Sequence, residues 1–376
     1  MSESGKTAPT NRLRLALLVA FTAFAGPLLF IEMPQLFDDL DERLFHLPAI
    51  EQFALQLPTP DLFDYPSATT PLYHLVLSLI AAPFAHNVSV LRVVNLLISL
   101  GALAVAWQTL ARWGTGKSAT VMAAMLACSP YFIGPATRLS TDNAALLAVF
   151  AAIGLMEPKQ DRPRAAGWVT TAAILTRQLH VWLIGLMLLR GLHVPAERKR
   201  WLMSAAIPLI SIAGFVVAWG ALTPPSFSRG HAAGLNVDTL VFKLTIFGLY
   251  GLFVLPWFAP VAAKHKRAIG ASVSAALVLL CIIHLPYQDN PNRWGGAIWQ
   301  LAARTPAFLD VPTSFWVLAP LGAGIVATLA FCGPRGRYLF VCVCLWSLAG
   351  LASARAYQKY SDPLILFVLG LAVQQL

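Results

Sequence analysis

Residues 71–85, PLYHLVLSLIAAPFA, decide how the chain is arranged, because two different folds would use this apolar stretch differently. If it crossed a membrane, it would reverse the sidedness of every later segment. It is about 15 residues long, whereas a helix needs roughly 20 apolar residues to cross the hydrocarbon core. It also contains Tyr73, His74 and Pro83. These features favour a helix that lies along the membrane surface.

The composition of the whole chain is that of an integral membrane protein. Hydrophobic residues make up 57% and charged residues 12% of the sequence, and the mean hydropathy is +0.67. Soluble domains contain about 25% charged residues, so a soluble fold would lack the charge to cover its surface. The apolar runs do not alternate with polar residues as barrel strands do. The sequence therefore predicts an all-α polytopic membrane protein.

Residues 1–376 are predicted to form a single transmembrane domain with about 12 spanning helices. The first apolar run is expected to remain as a helix, since it is longer than the core of a signal peptide and no small-residue cleavage site follows it. Two of the segments, 165–176 and 178–192, are short for a full crossing. The predicted helices cover residues 13–33, 90–111, 118–137, 142–156, 165–176, 178–192, 203–222, 239–258, 268–285, 312–332, 338–352 and 362–376.

Charge tests the choice made for residues 71–85. If residues 71–85 do not cross the membrane, the segments on one side of it hold 17 of the 27 Lys and Arg residues. The segments on the opposite side hold 13 of the 17 Asp and Glu residues. The basic side is cytoplasmic by the positive-inside rule. This assignment places both termini in the cytoplasm. It also explains the formal charge of +10 as a topology signal, so no nucleic-acid partner is needed.

The polar, aromatic and Pro-rich segments then collect on the extracytoplasmic face, chiefly in the loops 34–89 and 284–311. The first loop is predicted to carry two membrane-parallel helices. Asp41 precedes the amphipathic segment with Phe45 and Ile50, so it is either a helix N-cap or a carboxylate held at the bilayer surface as a general base. A second Pro-braced polar cluster, which contains Asp64, lies in the same loop.

These motifs resemble those of the GT-C glycosyltransferase superfamily, and within it the dolichyl-phosphate-glucose-dependent α-1,2-glucosyltransferase family of N-glycan precursor assembly. Residues 41–48 resemble that family's Asp-Glu-x-Phe-His-x-Pro with one extra residue, and residues 69–73 resemble its Thr-Thr-x-Pro-Gly-Leu-Tyr without the glycine. Further echoes follow in family order over most of the chain, and several are imperfect: residues 91–97, 141–142, 177–178, 229–231, 284–294 and 355–357.

The resemblance implies a GT-C fold and an inverting hexosyltransferase that moves a hexose, glucose in the closest family, from a polyprenyl-phosphate donor to an acceptor hydroxyl. The acceptor would be a glycan, a lipid-linked glycan or another hydroxyl compound. Asp41 would be the catalytic base, with Glu42 beside it and Asp64 as the rival. Further residues are expected to bind the donor phosphate or sugar: His46, Asp142, Arg177, Gln178, His231, His284, Asp289, Asn290, Arg293, Arg355, Tyr357 and Lys359.

Several alternatives stay open from the sequence. A membrane transporter or flippase of lipid-linked sugars is the competing function. The site would be periplasmic in a bacterial inner membrane or lumenal in a eukaryotic one, and the compact loops favour the bacterial case. No cofactor is expected. The acidic run 38–42 could bind a divalent cation, but no metal is expected there either. The cysteines are interpreted as packing residues and not as metal ligands or disulfides: Cys128, Cys281, Cys332, Cys342 and Cys344.

Overall fold

The structure is a computed structural model that describes residues 7–32, 37–84, 87–157, 160, 162–228, 234–283, 285, 294–353 and 355–376. The described chain is predominantly helical, which confirms the all-α prediction. It forms two compact units, Met1–Ala232 and Ala233–Leu376. That division does not test the predicted single transmembrane domain, which stays a prediction.

The first unit contains helices joined by short turns. A π-helix, Glu42–His46, connects two of them without a break, and 3₁₀ turns cover Ala82–Phe84, Gln178–Val181 and Pro195–Glu197. The α-helices are α1 Thr7–Leu28, α2 Phe37–Asp41, α3 Leu47–Leu55, α4 Leu72–Ala81, α5 Val88–Trp113, α6 Gly116–Ala127, α7 Pro130–Thr137, α8 Thr141–Leu155, α9 Pro163–Thr176, α10 Trp182–His193, α11 Arg198–Trp219 and α12 Pro225–Ser228.

The second unit adds short strand pairs to its helices. Strand β1 (Trp294–Gly295) pairs in parallel with β4 (Ala356–Tyr357), and β2 (Ala307–Phe308) pairs antiparallel with β3 (Val311–Pro312). A 3₁₀ turn, Gln358–Tyr360, follows β4. The α-helices are α13 Asp238–Lys264, α14 Lys266–Ile282, α15 Ala297–Arg304, α16 Thr313–Leu329, α17 Gly333–Gly350 and α18 Asp362–Val373.

Every predicted spanning segment overlaps a helix of the structure. Within the described ranges, three helices are long and apolar enough to cross a membrane: Val88–Trp113, Pro195–Trp219 and Asp238–Lys264. The bent pair α6 and α7 makes up to one more. The chain is therefore a helical membrane protein, while its twelve spans and the sidedness of its termini stay predictions.

The continuous helix predicted over residues 118–137 is wrong. It is broken into α6 and α7, which meet at 67°. Pro130 cannot donate a backbone hydrogen bond to the preceding turn, and the Ser129 side chain accepts from the amide of Tyr131 to begin a new helix. The break places the carboxyl end of α7 at residues 137–139, beside the first loop.

The segment that decided the topology is a helix, α4, followed by a 3₁₀ turn. Its residues Tyr73, Leu77 and Ala81 are buried at helical spacing and pack against Ile50 of α3. On its other side, Leu79 is 61% exposed. One apolar face is therefore left uncovered by protein, as expected of a helix in contact with lipid, and the membrane-surface position of this helix stays a prediction.

The second unit is held together by an unusually close approach of α13 and α16. A Cβ atom added at Gly248 would meet the backbone carbonyl of Leu318, and one added at Gly322 would meet that of Leu244. Small residues let helix backbones approach closely, which is how membrane helices gain packing energy. Neither side can yield without moving a whole helix.

We expect Gly322→Ala to destabilise the second unit by about 1–3 kcal/mol, the usual cost of overpacking, and to lower the apparent Tm of the purified protein in detergent. Gly270→Ala in α14 is the matched control, since nothing lies within 4 Å of its added Cβ. That control should be neutral or slightly stabilising, because alanine is the better helix former. Equal Tm values for the two variants would contradict the close contact.

Candidate functional site

The carboxyl end of α1 is held by two arginines from distant parts of the first unit. The last carbonyls of a helix lack partners within the helix. Here Arg92 donates to the carbonyl of Leu29 at 3.0 Å, and Arg138 donates to the carbonyl of Leu28 at 3.0 Å and to that of Ile31. Arg138 is only 1% exposed. The guanidinium groups thus cap α1 just before the acidic run 38–42.

The same two guanidinium groups bind carboxylates of that acidic run. Arg138 Nε donates to Asp39 Oδ1 at 3.0 Å, while Arg92 Nε donates to both Glu42 oxygens at 3.0 and 3.1 Å. Glu42 Oε2 also accepts from the amide of Leu139 at 2.7 Å. Glu42 is 1% exposed. Two of the acidic side chains are therefore buried, paired with arginine, and tie α1, α5 and α7 to the first loop.

Asp41 has a different environment from Glu42. Its backbone is helical, because α2, the π-helix and α3 form one continuous helical segment, and its side chain makes no capping hydrogen bond. The N-cap interpretation of Asp41 is therefore wrong. Its side chain is half-buried, so one edge of it reaches the surface. π-Helical turns are rare and occur frequently at functional sites.

Asp64, the rival base, makes hydrogen bonds that hold neighbouring segments of the protein together. Its exposed carboxylate accepts from the amide of Ser226 at 3.0 Å, and its carbonyl accepts from the Gln52 side chain at 3.3 Å. The neighbouring Tyr65 is buried and donates to the carbonyl of Thr69 at 2.5 Å. Asp64 thus holds the start of α12 against the first loop.

His46 ends the π-helix and contacts His74 of α4. His46 Nδ1 lies 3.0 Å from His74 Nε2, and His74 is fully buried. Burial lowers the pKa of His74 well below its usual value, and the positive charge that His46 can carry lowers it further. Next to it, Tyr73 donates to Asn95 Oδ1 at 2.9 Å and accepts from the amide of Ser140 at 3.0 Å.

Three further predicted donor-binding residues lie in the first unit: Asp142, Arg177 and Gln178. Asp142 is 6% exposed and forms an ion pair with Arg177. Ser140, not Asp142, caps α8, since its side chain accepts from the Asp142 amide. Gln178 donates to the carbonyls of Ala68 and Leu222 at 2.7 and 2.9 Å and accepts from the amide of Thr70 at 3.3 Å. Its amide group positions the first loop.

The second unit holds the remaining described candidates, Arg355, Tyr357 and Lys359. An Arg355 N–H lies 3.5 Å from the Tyr357 hydroxyl, and Lys359 Nζ lies 5.7 Å from the centroid of the Tyr360 ring. Lys359 is 7% exposed. Among the described residues, no carboxylate lies within ion-pair distance of Arg355, so its charge is not neutralised there by an acid. The other predicted residues lie outside the described residues: His231, His284, Asp289, Asn290 and Arg293.

No protein-family profile and no curated protein sequence matches the chain. Among solved structures, it is similar to ArnT from Cupriavidus metallidurans, bound to undecaprenyl phosphate and in the apo state. The TM-scores are 0.43 and 0.40 at 16% and 15% identity, over 96% of this chain and 77% of ArnT in each case. Among the described residues, no group of three His, Cys, Asp or Glu side chains is placed to hold a metal ion.

The predicted site residues did not include four that connect the elements around the acidic run: Arg92, Arg138, Asn95 and His74. Asn95 donates to the carbonyls of Pro135 and Arg138, each at 2.7 Å, and so fixes the end of α7. One signal was available for Arg138, because an arginine on the predicted extracytoplasmic side opposes the positive-inside trend and needs a partner. No periodicity or spacing indicates that His74 would meet His46.

Proposed function

We propose that the protein is an inverting GT-C glycosyltransferase that moves a hexose from a polyprenyl-phosphate donor to an acceptor hydroxyl at the extracytoplasmic membrane surface. One observation carries the proposal: Asp41 is half-buried directly before the π-helix, and the neighbouring acids Asp39 and Glu42 are held by Arg138 and Arg92. A general base needs a fixed backbone and access to its substrate. Asp41 combines both, whereas Glu42 is sealed from solvent.

The chemistry assigns Asp41 one proton transfer. Its carboxylate removes the proton of the acceptor hydroxyl as that oxygen attacks the anomeric carbon from the face opposite the phosphate. The bond between the anomeric carbon and the phosphate oxygen breaks, and polyprenyl phosphate leaves with the electron pair. A donor lipid stays in the bilayer while sugar and acceptor stay in water, so a base beside surface-lying helices suits both substrates.

The leaving phosphate requires a positively charged side chain nearby. An arginine that is already paired with a carboxylate is a weaker candidate for this role. Arg92, Arg138 and Arg177 each face a carboxylate, so their charge is already compensated. Arg355 is not paired with a described acid, and arginine's fork of donors suits phosphate. We therefore propose Arg355 as a phosphate ligand, with Lys359 and Arg293 as further candidates. That glucose is the hexose, that the linkage is α-1,2, and that the site is periplasmic are finer parts of the same proposal.

A donor panel with the purified protein in detergent tests the proposed function. Undecaprenyl- and dolichyl-phosphate hexoses are supplied one at a time with a mixed pool of hydroxyl acceptors, and released polyprenyl phosphate is measured. We expect one lipid-linked hexose to be consumed and the matching nucleotide sugars to be left intact. Consumption of a nucleotide sugar, or of no donor at all, would contradict the proposal.

One feature is more typical of the alternative, a transporter or flippase of lipid-linked sugars. Lys243 of α13 is 6% exposed, donates to the carbonyl of Trp346 at 3.1 Å and lies 3.9 Å from the centroid of that ring. Ionisable residues within membrane helices often mark transport pathways. Detergent separates the two functions, since transfer chemistry continues there and transport across a membrane does not. Lipid flipping in proteoliposomes without sugar transfer would favour the transporter.

A further inference from the structure

His46 and His74 form a buried imidazole pair at the end of the π-helix. Their rings are stacked with centroids 5.3 Å apart and an interplanar angle of 23°. His74 is enclosed by aromatic rings, with centroid distances of 6.5 Å to Phe53, 6.2 Å to Tyr65 and 5.5 Å to Tyr73. Its Nδ1 is buried and has no hydrogen-bond partner among the described residues. Leaving a buried polar atom unsatisfied is costly, so a compensating role is indicated.

The geometry assigns different roles to the two rings. A fully buried imidazole in an aromatic shell stays neutral, because the charged form would lose its hydration. A neutral His74 can accept a hydrogen bond at Nε2 from an N–H at His46 Nδ1. That hydrogen bond strengthens when His46 becomes an imidazolium, since charged donors make stronger hydrogen bonds. His74 is thus placed to stabilise a proton on its partner.

The π-helix connects this pair to the proposed base. Its hydrogen bonds join residues five apart, as shown by the Leu47 amide donating to the carbonyl of Glu42. The same spacing separates Asp41 from His46, so the two residues lie roughly one turn of this wider helix apart. In an ordinary α-helix, five residues exceed one turn of 3.6 residues. The unusual turn therefore brings the imidazole pair towards the face that carries Asp41.

We propose that His46 accepts, at its Nε2, the proton that Asp41 takes from the acceptor hydroxyl, and that His74 is the positioning residue that holds His46 in the proton-accepting tautomer. This inference rests on the proposed function. The proton passes from the acceptor oxygen to Asp41 and then to His46 Nε2, while the Nδ1 proton of His46 remains hydrogen-bonded to His74 Nε2. Asp41 is returned to its carboxylate form, and the proton reaches solvent when product leaves.

Other charged and titratable groups lie on the segments packed around the pair. They bear on its protonation and stay unchanged in the variants below. They are Asp39, Asp41, Glu42 and Arg43 on the α2–π segment, Glu51 on α3, Tyr65 in the first loop, Tyr73 on α4, Arg92 on α5, Arg138 after α7, Asp142 on α8 and Arg177 after α9.

Two substitutions of His74 separate proton acceptance from packing. In His74→Gln the side-chain oxygen replaces Nε2 as the acceptor, whereas His74→Phe fills the same aromatic shell and accepts nothing. We expect His74→Phe to lower kcat roughly a hundredfold, the low end of what a positioned proton acceptor contributes, with an unchanged KM for the donor. The acidic limb of its pH profile should move to lower pH, because the His46 imidazolium loses its acceptor. His74→Gln should restore most of kcat and the original limb.

An equal loss in both variants would reduce His74 to a packing role and overturn the proposal, as would a wild-type pH profile in His74→Phe.

A second measurement is independent of activity: ¹⁵N-histidine NMR of the full chain in detergent, with signals assigned by their loss in single variants. We expect the neutral His46 ring to carry its proton on Nδ1, where it donates to His74, and His74 to stay neutral. A His46 ring protonated on Nε2 alone, or a charged His74, overturns the pair, whereas failure of every sugar donor with the expected NMR result rejects only the proposed function.

Discussion

Asp41→Asn should lower sugar transfer by roughly 10²- to 10⁴-fold, the usual contribution of a general base, with the protein still folded. Asparagine keeps the shape and the helical backbone of this half-buried position but cannot take up a proton. The loss should appear in kcat and not in the KM for the lipid donor, because the base proposed at Asp41 would act on the acceptor hydroxyl. Initial rates at saturating donor, together with the apparent Tm of the same preparation, measure both quantities.

Two further variants decide how that loss is interpreted. Glu51→Gln is the matched control, since it removes a half-buried acid from α3, which continues the same helical segment. It should stay within a few-fold of the wild-type rate. Asp64→Asn retains an oxygen that can accept from the Ser226 amide and tests the rival base. If Asp64→Asn abolishes transfer while Asp41→Asn does not, the base is Asp64.

Glu42→Gln should cost stability more than chemistry. Removing one partner of a buried ion pair leaves an uncompensated charge and typically costs ~3–5 kcal/mol. Glu42 is 1% exposed and faces Arg92, so we expect a clear fall in apparent Tm in detergent. Because a glutamine oxygen can still accept from the Leu139 amide, the loss reports mainly on charge. Adding Arg92→Leu should recover part of the stability, as the unpaired guanidinium is removed.

Glu197→Gln gives the comparison for an exposed pair. Arg200 and Glu197 form an ion pair three residues apart, with side chains 55% and 26% exposed, and such pairs contribute about 1 kcal/mol or less. Glu42 was predicted from sequence to belong to the catalytic set. A Glu42→Gln protein with the wild-type Tm and no transfer activity would support that catalytic role and contradict a structural one.

Sequence reasoning located the helices because their signal is local. The apolar runs gave the positions of α5, α11 and α13, and the charge distribution favoured a surface position for residues 71–85. It missed the bend between α6 and α7, although Ser129 followed by Pro130 is a recognisable start of a new helix. The π-helix at Glu42–His46 has no comparable sequence signature, since its one extra residue per turn fits an ordinary helical pattern.

The candidate site was predicted less completely because its contacts are distant in sequence. The acidic run 38–42 stands out by composition, but its partners Arg92 and Arg138 lie 50 residues from Glu42 and 99 residues from Asp39. The same holds for His46 and His74, which are 28 residues apart. Such pairings depend on how helices pack. A single sequence shows the residue types and not which of them meet.

The capping of α1 by Arg92 and Arg138 also sets an order on how the protein is made. Asp39 and Glu42 leave the ribosome long before the two arginines that bind them. A nascent chain that ends before residue 138 carries α1, the first loop and Arg92, but it lacks the Arg138 guanidinium that binds Asp39 and the carbonyl of Leu28. The first loop therefore gains its full set of contacts only after α7 has been made, and truncated chains that stop earlier should expose this loop to proteases.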